Sequence, residues 1–338
     1  MFRGGYYRLV AKLYSSWGRS RPEMLVTLLA AVRSAGDTLG RNGRRRIYLG
    51  HLARIFPDRG APWRRKVMRE YWKTHQRAML GLFHASEMDL HALESSVEWQ
   101  GREHLDRALS LGKGVLLLAP HFGDERTMHI AMALSGYGMH VLSTDYADAP
   151  EIVRRARLGT SLRTHHLAFP SDSPRWMYRA LEAGEIVQTA PTGYGGPHGV
   201  WVESFGVPVL APATFHRLRE ATGCALMLAY NHALPGLTYR ICLEPLELPV
   251  DRNESISVLF DRITALGREF PDQYNWMNLA IRHRETNTAV RLGFIPADER
   301  ILEKASIRGD GDPRRICEPT SLPRSRRMES AMARPSRE

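Results

Sequence analysis

Three cysteines in 338 residues (Cys224, Cys242 and Cys317) leave no room for a disulfide framework and show no metal-ligand spacing. Two of them fall in apolar, strand-like runs, the usual setting of a small buried thiol, and this usage points to a reducing compartment. Long hydrophobic runs are also missing. The best, Met24 to Val32, is nine residues and stops at Arg33, well short of the roughly 20 needed to span a bilayer. Residues 1–40 offer no small-residue cleavage site behind an apolar core, which argues against a secretory signal. There is no internal repeat and no lysine-bearing phosphate loop, so ATP chemistry is not expected. Acidic residues are scarce at one end. Residues 1–75 hold seventeen Lys and Arg against four Asp and Glu, a balance of +13, while the whole chain carries +11. Such a surface calls for an anionic partner.

What is present is ordinary globular material, 43% hydrophobic and 25% charged, enough for a sizeable core. Within residues 1–40, Phe2, Tyr6, Tyr7, Leu9, Val10, Leu13 and Trp17 alternate with Arg3, Arg8, Lys12 and Arg19. That mixture suits interfacial helices lying in a headgroup layer. Helical spacing continues through Ile47–Ile55 and Arg65–Phe83, with breaks expected at Pro57 and Pro62. From about residue 112, short apolar runs alternate with helical stretches. Strands are expected at Val115–Ala119, His140–Ser143, His165–Phe169, Ile186–Ala190, Val200–Glu203, Ala225–Tyr230 and Tyr239–Leu243. Helices are expected near Arg126–Leu134, Pro150–Leu158, Pro174–Ala183, Pro212–Ala221 and Glu254–Phe270. The expected class is an α/β sandwich with a largely parallel sheet flanked by helices, preceded by a basic helical N-terminal region. The main domain would span 41–284. Residues 285–338 are expected to be poorly ordered, because from about 305 they are rich in Arg, Ser, Pro and Gly and poor in aromatics.

The stretch most suggestive of chemistry is Gly114-Val115-Leu116-Leu117-Leu118-Ala119-Pro120-His121-Phe122-Gly123-Asp124-Glu125-Arg126. It reads as a buried strand that ends by presenting an imidazole, and open α/β sheets place ligands at strand carboxyl ends. A histidine beside a carboxylate is the minimal apparatus for general-base activation of a hydroxyl. Gly123 would let a substrate approach the backbone, and helix amides starting near Asp124 would favour a developing oxyanion. A plain capping turn, with Asp124 as helix cap, fits the same letters.

Two further clusters follow. Arg154, Arg155 and Arg157 recur at helical spacing, and Arg154 and Arg157 are candidates for binding phosphate, against the alternative of a solvated basic face. Ala190-Pro191-Thr192-Gly193-Tyr194-Gly195-Gly196-Pro197-His198-Gly199 carries four glycines after a strand, a loop shaped for a ligand with Thr192, Gly193 and Gly195 at its centre. Ser204-Phe205-Gly206-Val207-Pro208 reads as a connection leading into a helix.

The order of these pieces over residues 44–283 resembles the bacterial lipid A late acyltransferases of the lysophospholipid acyltransferase superfamily. The resemblance begins at Arg44-Arg45-Arg46 and His51-Leu52-Ala53-Arg54-Ile55-Phe56-Pro57. It runs through the His121 block, Arg157-Leu158-Gly159, the glycine loop with Val200-Trp201-Val202, and Phe205-Gly206-Val207-Pro208. It ends at Pro271-Asp272-Gln273-Tyr274-Asn275-Trp276-Met277. The resemblance implies a monotopic enzyme on the cytoplasmic face of the inner membrane. It would move an acyl chain from acyl carrier protein, or from acyl-CoA, to a hydroxyl of a lipid or glycolipid acceptor. His121 would be the general base, Phe122 and Gly123 would adjoin the substrate, and no metal or redox cofactor would be needed. The basic N-terminal region would meet anionic membrane lipid or the acidic carrier.

The family pattern sets an acid after His and four intervening residues, where this chain has Arg126; the carboxylates come early, at Asp124 and Glu125. One residue on a helix is a turn of about 100°, so Glu125 would need a local backbone change to serve. Glu125 is the first candidate partner for His121 and Asp124 the second. The family's D-x-D position holds Thr192-Gly193. Two other readings stand beside acyl transfer. One is a non-catalytic lipid- or carrier-binding relative. The other is a zinc-dependent N-acetylglucosaminyl deacetylase, with His121 and Asp124 as ligands. Nucleic-acid binding is not expected, because the basic residues are interleaved with apolar helix faces.

Overall fold

Val115–Leu118 lies at the centre of the molecule with every side chain at 0% exposure. In the computed structural model, which describes residues 9–39, 44–85, 90–142, 162–165, 174–192, 199–276, 281–282 and 289–290, this run is β2 of a seven-stranded sheet. The other strands of the sheet are β1 (Val97–Gln100), β3 (Met139–Leu142), β4 (Leu162–His165), β5 (Ile186–Thr189), β8 (Ala225–Leu234) and β9 (Thr238–Pro245), in the order β1-β9-β8-β2-β5-β3-β4. β2 pairs in parallel with both β5 and β8, in register from Val115↔Ile186 and Val115↔Ala225. A strand covered on both faces needs no polar side, which is why its sequence is a continuous apolar run. β3 joins β5 and β4 in parallel. The direction reverses once, at the antiparallel β8–β9 pair, and β1 follows β9 in parallel. All the described residues belong to one compact unit within Met1–Phe294; the tail expected at 285–338 lies, apart from Ala289–Val290, outside the described residues.

Helices cover the sheet. They are α1 (Pro22–Leu39), α2 (Arg44–Ile55), α3 (Ala61–Ala85), α4 (Leu90–Ser96), α5 (Arg102–Ser110), α6 (Glu125–Leu134), α7 (Arg175–Glu182), α8 (Thr214–Thr222) and α9 (Arg252–Glu269). A short helical segment before α1 ends in a π-helical turn at Tyr14–Gly18. Val10, Tyr14, Leu25, Val26 and Leu29 join Met79, Leu80 and Phe83 of α3 in the same core as the sheet residues. The opposite face of α1 leaves Met24, Leu28 and Val32 in solvent, with Leu9 upstream. Among the described residues, no helix is long and apolar enough to cross a membrane.

The architecture and most elements match expectation; four details differ. Pro62 does not break a helix but sits in the first turn of α3, where its missing N–H costs nothing. β4 covers Leu162–His165 rather than starting at His165, and the expected continuation lies outside the described residues, as does the expected helix at Pro150–Leu158. β1 was not anticipated, nor were the helices on either side of it, α4 and α5. Phe205-Gly206 leads into a strand first: β6 (Val200–Ser204) and β7 (Val207–Ala211) form an antiparallel hairpin before α8 begins. Both turn residues have positive φ, 56° and 75°, the geometry of a tight two-residue hairpin. A separate two-residue pair, β10 (Ile281–Arg282) with β11 (Ala289–Val290), completes the described strands.

Candidate active site

The backbone around His121 is fixed on both sides. The Ala119 N–H donates to the Thr189 carbonyl at 3.0 Å, extending the β2–β5 ladder one residue past the strand. Beyond it, the Asn275 N–H donates to the His121 carbonyl at 2.9 Å, and the Gly123 N–H donates to the Gln273 carbonyl at 2.8 Å. The Pro271–Trp276 segment is therefore a strap alongside the histidine. It is itself tied to the N-terminal helices: Tyr71 Oη donates to Asn275 Oδ1 at 2.9 Å, and Gln273 Nε2 to Thr74 Oγ1 at 3.3 Å. His51 Nδ1 donates to the Trp276 carbonyl at 2.9 Å, and burial holds this imidazole down at about 4, so it is a neutral anchor. Phe205, from the hairpin turn, packs its ring 5.0 Å from Tyr274 and 4.9 Å from Trp276.

Gly123 makes the turn possible. Its φ is +58°, and a Cβ there would stand 1.5 Å from the Asn231 carbonyl oxygen of β8. The close approach that this glycine allows is to the neighbouring strand. Asn231, wholly buried, reaches across with Nδ2 to the Asp124 carbonyl at 2.8 Å. Phe122 is 2% exposed and meets His232 at 5.0 Å and Tyr230 at 5.4 Å between ring centres, which places it beneath the site.

The two adjacent carboxylates have different surroundings. Asp124 caps α6: its side chain accepts from the Thr127 N–H at 3.3 Å and from the Thr127 hydroxyl, with no exposure of its own. Burial raises its carboxyl to about 6, against the pull of Arg126 Nε at 3.9 Å. Glu125 Oε2 lies 3.3 Å from His121 Nδ1, both side chains about one-third open or less. Burial would raise the Glu125 carboxyl too, but the His121 imidazole, with smaller help from His129 and Arg126, holds it at about 2. The rotation argument against Glu125 does not apply, because α6 starts at Glu125 and His121 lies upstream of the helix. The left-handed turn at Gly123 supplies the local backbone change that brings the two side chains together.

The remaining sequence candidates divide simply. Thr192 is described and buried, beyond the carboxyl end of β5, the neighbour of β2, and its hydroxyl has no hydrogen-bond partner among the described residues. Arg154, Arg157, Gly193 and Gly195 lie outside the described residues. Among the described residues, no group of three or more His, Cys, Asp or Glu side chains is arranged to hold a metal ion, and the Asp124 carboxylate is taken up by Thr127. Sequence reasoning missed Asn231 and Gln273 as anchors. An Asn, followed by His232, inside the mostly apolar run Ala225–Leu234 was the available signal, because a buried amide must find partners.

A histidine–carboxylate pair at the carboxyl end of a central parallel strand, with a helix starting beside it, is an arrangement that general-base chemistry in α/β transferases and hydrolases can use. The comparisons narrow this. Residues 25–279 match the family described as bacterial lipid A biosynthesis acyltransferase, and the chain belongs to that family. It is similar to the lipid A biosynthesis myristoyltransferase of Escherichia coli (strain K12). The two are 21% identical over 280 residues, covering 78% of this chain and 83% of that protein. Family membership makes acyl transfer its class of activity.

Proposed function

We propose that this chain moves a fatty acyl group from the thioester of acyl carrier protein, or of acyl-CoA, to a hydroxyl of a lipid or glycolipid acceptor. The observation that carries the reading is the His121–Glu125 contact of 3.3 Å beyond β2, in a chain of this family. With Nδ1–H held by Glu125, Nε2 would take the acceptor's hydroxyl proton as its oxygen attacks the thioester carbonyl. The tetrahedral intermediate then collapses, the C–S bond breaks, and the imidazolium returns its proton to the departing thiolate. The amides opening α6 and the positive end of that helix would favour the oxyanion. The enzyme would sit peripherally on the cytoplasmic face of the inner membrane. Support comes from the +13 balance of residues 1–75 and the exposed Leu9, Met24, Leu28 and Val32. Arg154, Arg157 and the Thr192 loop would hold the substrate.

One observation favours a non-catalytic relative: Arg126 stands where the family pattern has an acid. The test uses the purified full chain with labelled acyl carrier protein or acyl-CoA and extracted bacterial glycolipid, read by lipid mass spectrometry. Wild type should add the mass of one acyl chain, and His121→Ala should not. Turnover by the His121→Ala protein would overturn the base; no turnover by wild type with either donor would favour the binding role.

A further inference from the structure

β8 outruns its partner. Leu228 is the last of its residues paired with β2, yet the strand continues to Leu234. Buried main-chain groups along that extension need other partners, and the His121 turn and the strap supply them. Gly123 bridges Asn231 in parallel, and Phe122 bridges Tyr274 antiparallel, so the turn lies between β8 and the strap. One residue reaches across it. The Gln273 carbonyl accepts from the Gly123 N–H at 2.8 Å, while Gln273 Oε1 accepts from the Ala233 N–H of β8 at 3.2 Å.

A main-chain N–H can only donate, which fixes the amide oxygen towards β8 and turns the NH2 group away from it. Nε2 then donates to Thr74 Oγ1 of α3 at 3.3 Å, with Asp272 Oδ2 at 3.4 Å. Gln273, Thr74 and Ala233 are all buried, so water is poorly placed to replace these bonds. A single side chain therefore ties the strap to β8 on one side and to α3 on the other. Its own carbonyl meanwhile holds the left-handed Gly123. That turn brings Glu125 Oε2 to 3.3 Å from His121 Nδ1, a contact between side chains that are themselves partly open. The separation of the pair is thus set from behind, by the frame that Gln273 braces.

We propose that Gln273 is a positioning residue for acyl transfer: its amide spans the Gly123 turn and so holds His121 and Glu125 at working distance. The inference rests on the reading of His121 as the base. It is tested on the full-length protein by two measurements, the NMR titration of the His121 imidazole, assigned by its loss in His121→Ala, and steady-state turnover with a thioester donor. Gln273→Met keeps an unbranched side chain of similar length and removes both ends of the brace. Its His121 midpoint should fall by about one pH unit as the carboxylate draws away, and kcat about tenfold with KM within about twofold. Thr74→Val removes only the α3 end, remains informative if the methionine protein does not fold, and should shift both readings in the same direction by less. Tyr137→Phe loses hydrogen bonds to Arg102 and Asp106 outside the site, so it should lower Tm and move neither reading. A lowered Tm with unmoved midpoint and kcat in Gln273→Met, or in Thr74→Val where that protein alone folds, would make the brace merely structural and overturn the proposal. Equal shifts in Tyr137→Phe would overturn it too. Full turnover by His121→Ala would instead remove the base, and the titration would still decide whether Gln273 holds the pair together.

Discussion

His121 meets Glu125 at 3.3 Å beyond the carboxyl end of β2, and His140 meets Glu185 at 2.7 Å near the amino ends of β3 and β5. By distance alone the second pair is the better one. His140, however, is a regular strand residue, 8% exposed, with its ring stacked against Trp176 of α7 at 5.9 Å. It closes the end of the sheet where parallel strands begin. His121 stands outside the ladder, held by the Pro271–Trp276 strap and facing the end where ligands bind in open α/β sheets. Placement and backbone anchoring, more than the contact itself, separate a candidate base from a structural imidazole.

The sharpest way to break this contrast is to truncate both histidines. His121→Ala should lower acyl transfer by about a thousandfold or more with little change in Tm. His140→Ala should leave turnover within about twofold and cost on the order of 1–2 kcal/mol of stability, from a lost buried ring and its contact with Glu185. Steady-state rates with a single donor would decide it. Comparable losses in both variants would mean that location carries no information here.

A second test concerns the turn that sets His121 apart from a strand residue. Gly123→Ala must move the backbone, because the new Cβ would collide with the Asn231 carbonyl; the expected cost is about 3 kcal/mol or more. Gly136 also has positive φ, +91°, but open space around it, so Gly136→Ala should cost only about 1 kcal/mol. Urea midpoints of the two variants give the comparison directly. Similar values would show that the approach of β8 is slack.

The contrast also runs between neighbours. Asp124 has its carboxyl at about 6 in the fold against an ordinary 3.8, so the native state holds that proton more tightly than the unfolded chain. The contribution is present at low pH and is lost as pH rises through roughly 4 to 6, about 3 kcal/mol across the window. Glu125 has the opposite sign. Held at about 2, it contributes above an ordinary 4.5 and loses that contribution as pH falls towards 2. Asp124→Asn keeps a capping oxygen and removes the titration, so its stability should not fall between pH 4 and 6 where that of wild type does. Its turnover should stay within a few-fold. Parallel stability curves for the two proteins would show that another group titrates.

Much of this was legible in the sequence, for identifiable reasons. β2 was legible because burial on both faces demands an uninterrupted apolar run, and the helices because their buried faces repeat every three or four residues. β1 was not, since four residues, Val97–Gln100, with Glu98 and Gln100 exposed are too short to show a period. β7 was hidden by Pro208, which is tolerated in a separate two-stranded hairpin but reads as a break. At the site, His121 and its two candidate acids were visible; what each acid does was not. The choice turns on where α6 starts, and that depends on Gly123 taking a left-handed conformation beneath a strand a hundred residues away. Long-range contacts such as Asn231 to Asp124 leave only a faint trace in sequence, an Asn-His pair in a mostly apolar run.

The smallest expected effect bears most directly on mechanism. If Glu125 orients His121, Glu125→Gln keeps the size and a hydrogen-bond acceptor but removes the charge that stabilises the imidazolium. The loss in kcat/KM should be about thirtyfold, or ~2 kcal/mol, smaller than for His121→Ala because the imidazole remains. The acid limb of the pH–rate profile should also move to lower pH, since a cationic imidazole without its carboxylate gives up its proton more readily. Glu185→Gln removes the same charge from the other pair and should change neither. A rate loss without movement of the limb would mean that Glu125 only shapes the first turn of α6. The acid partner would then have to be sought outside residues 121–126.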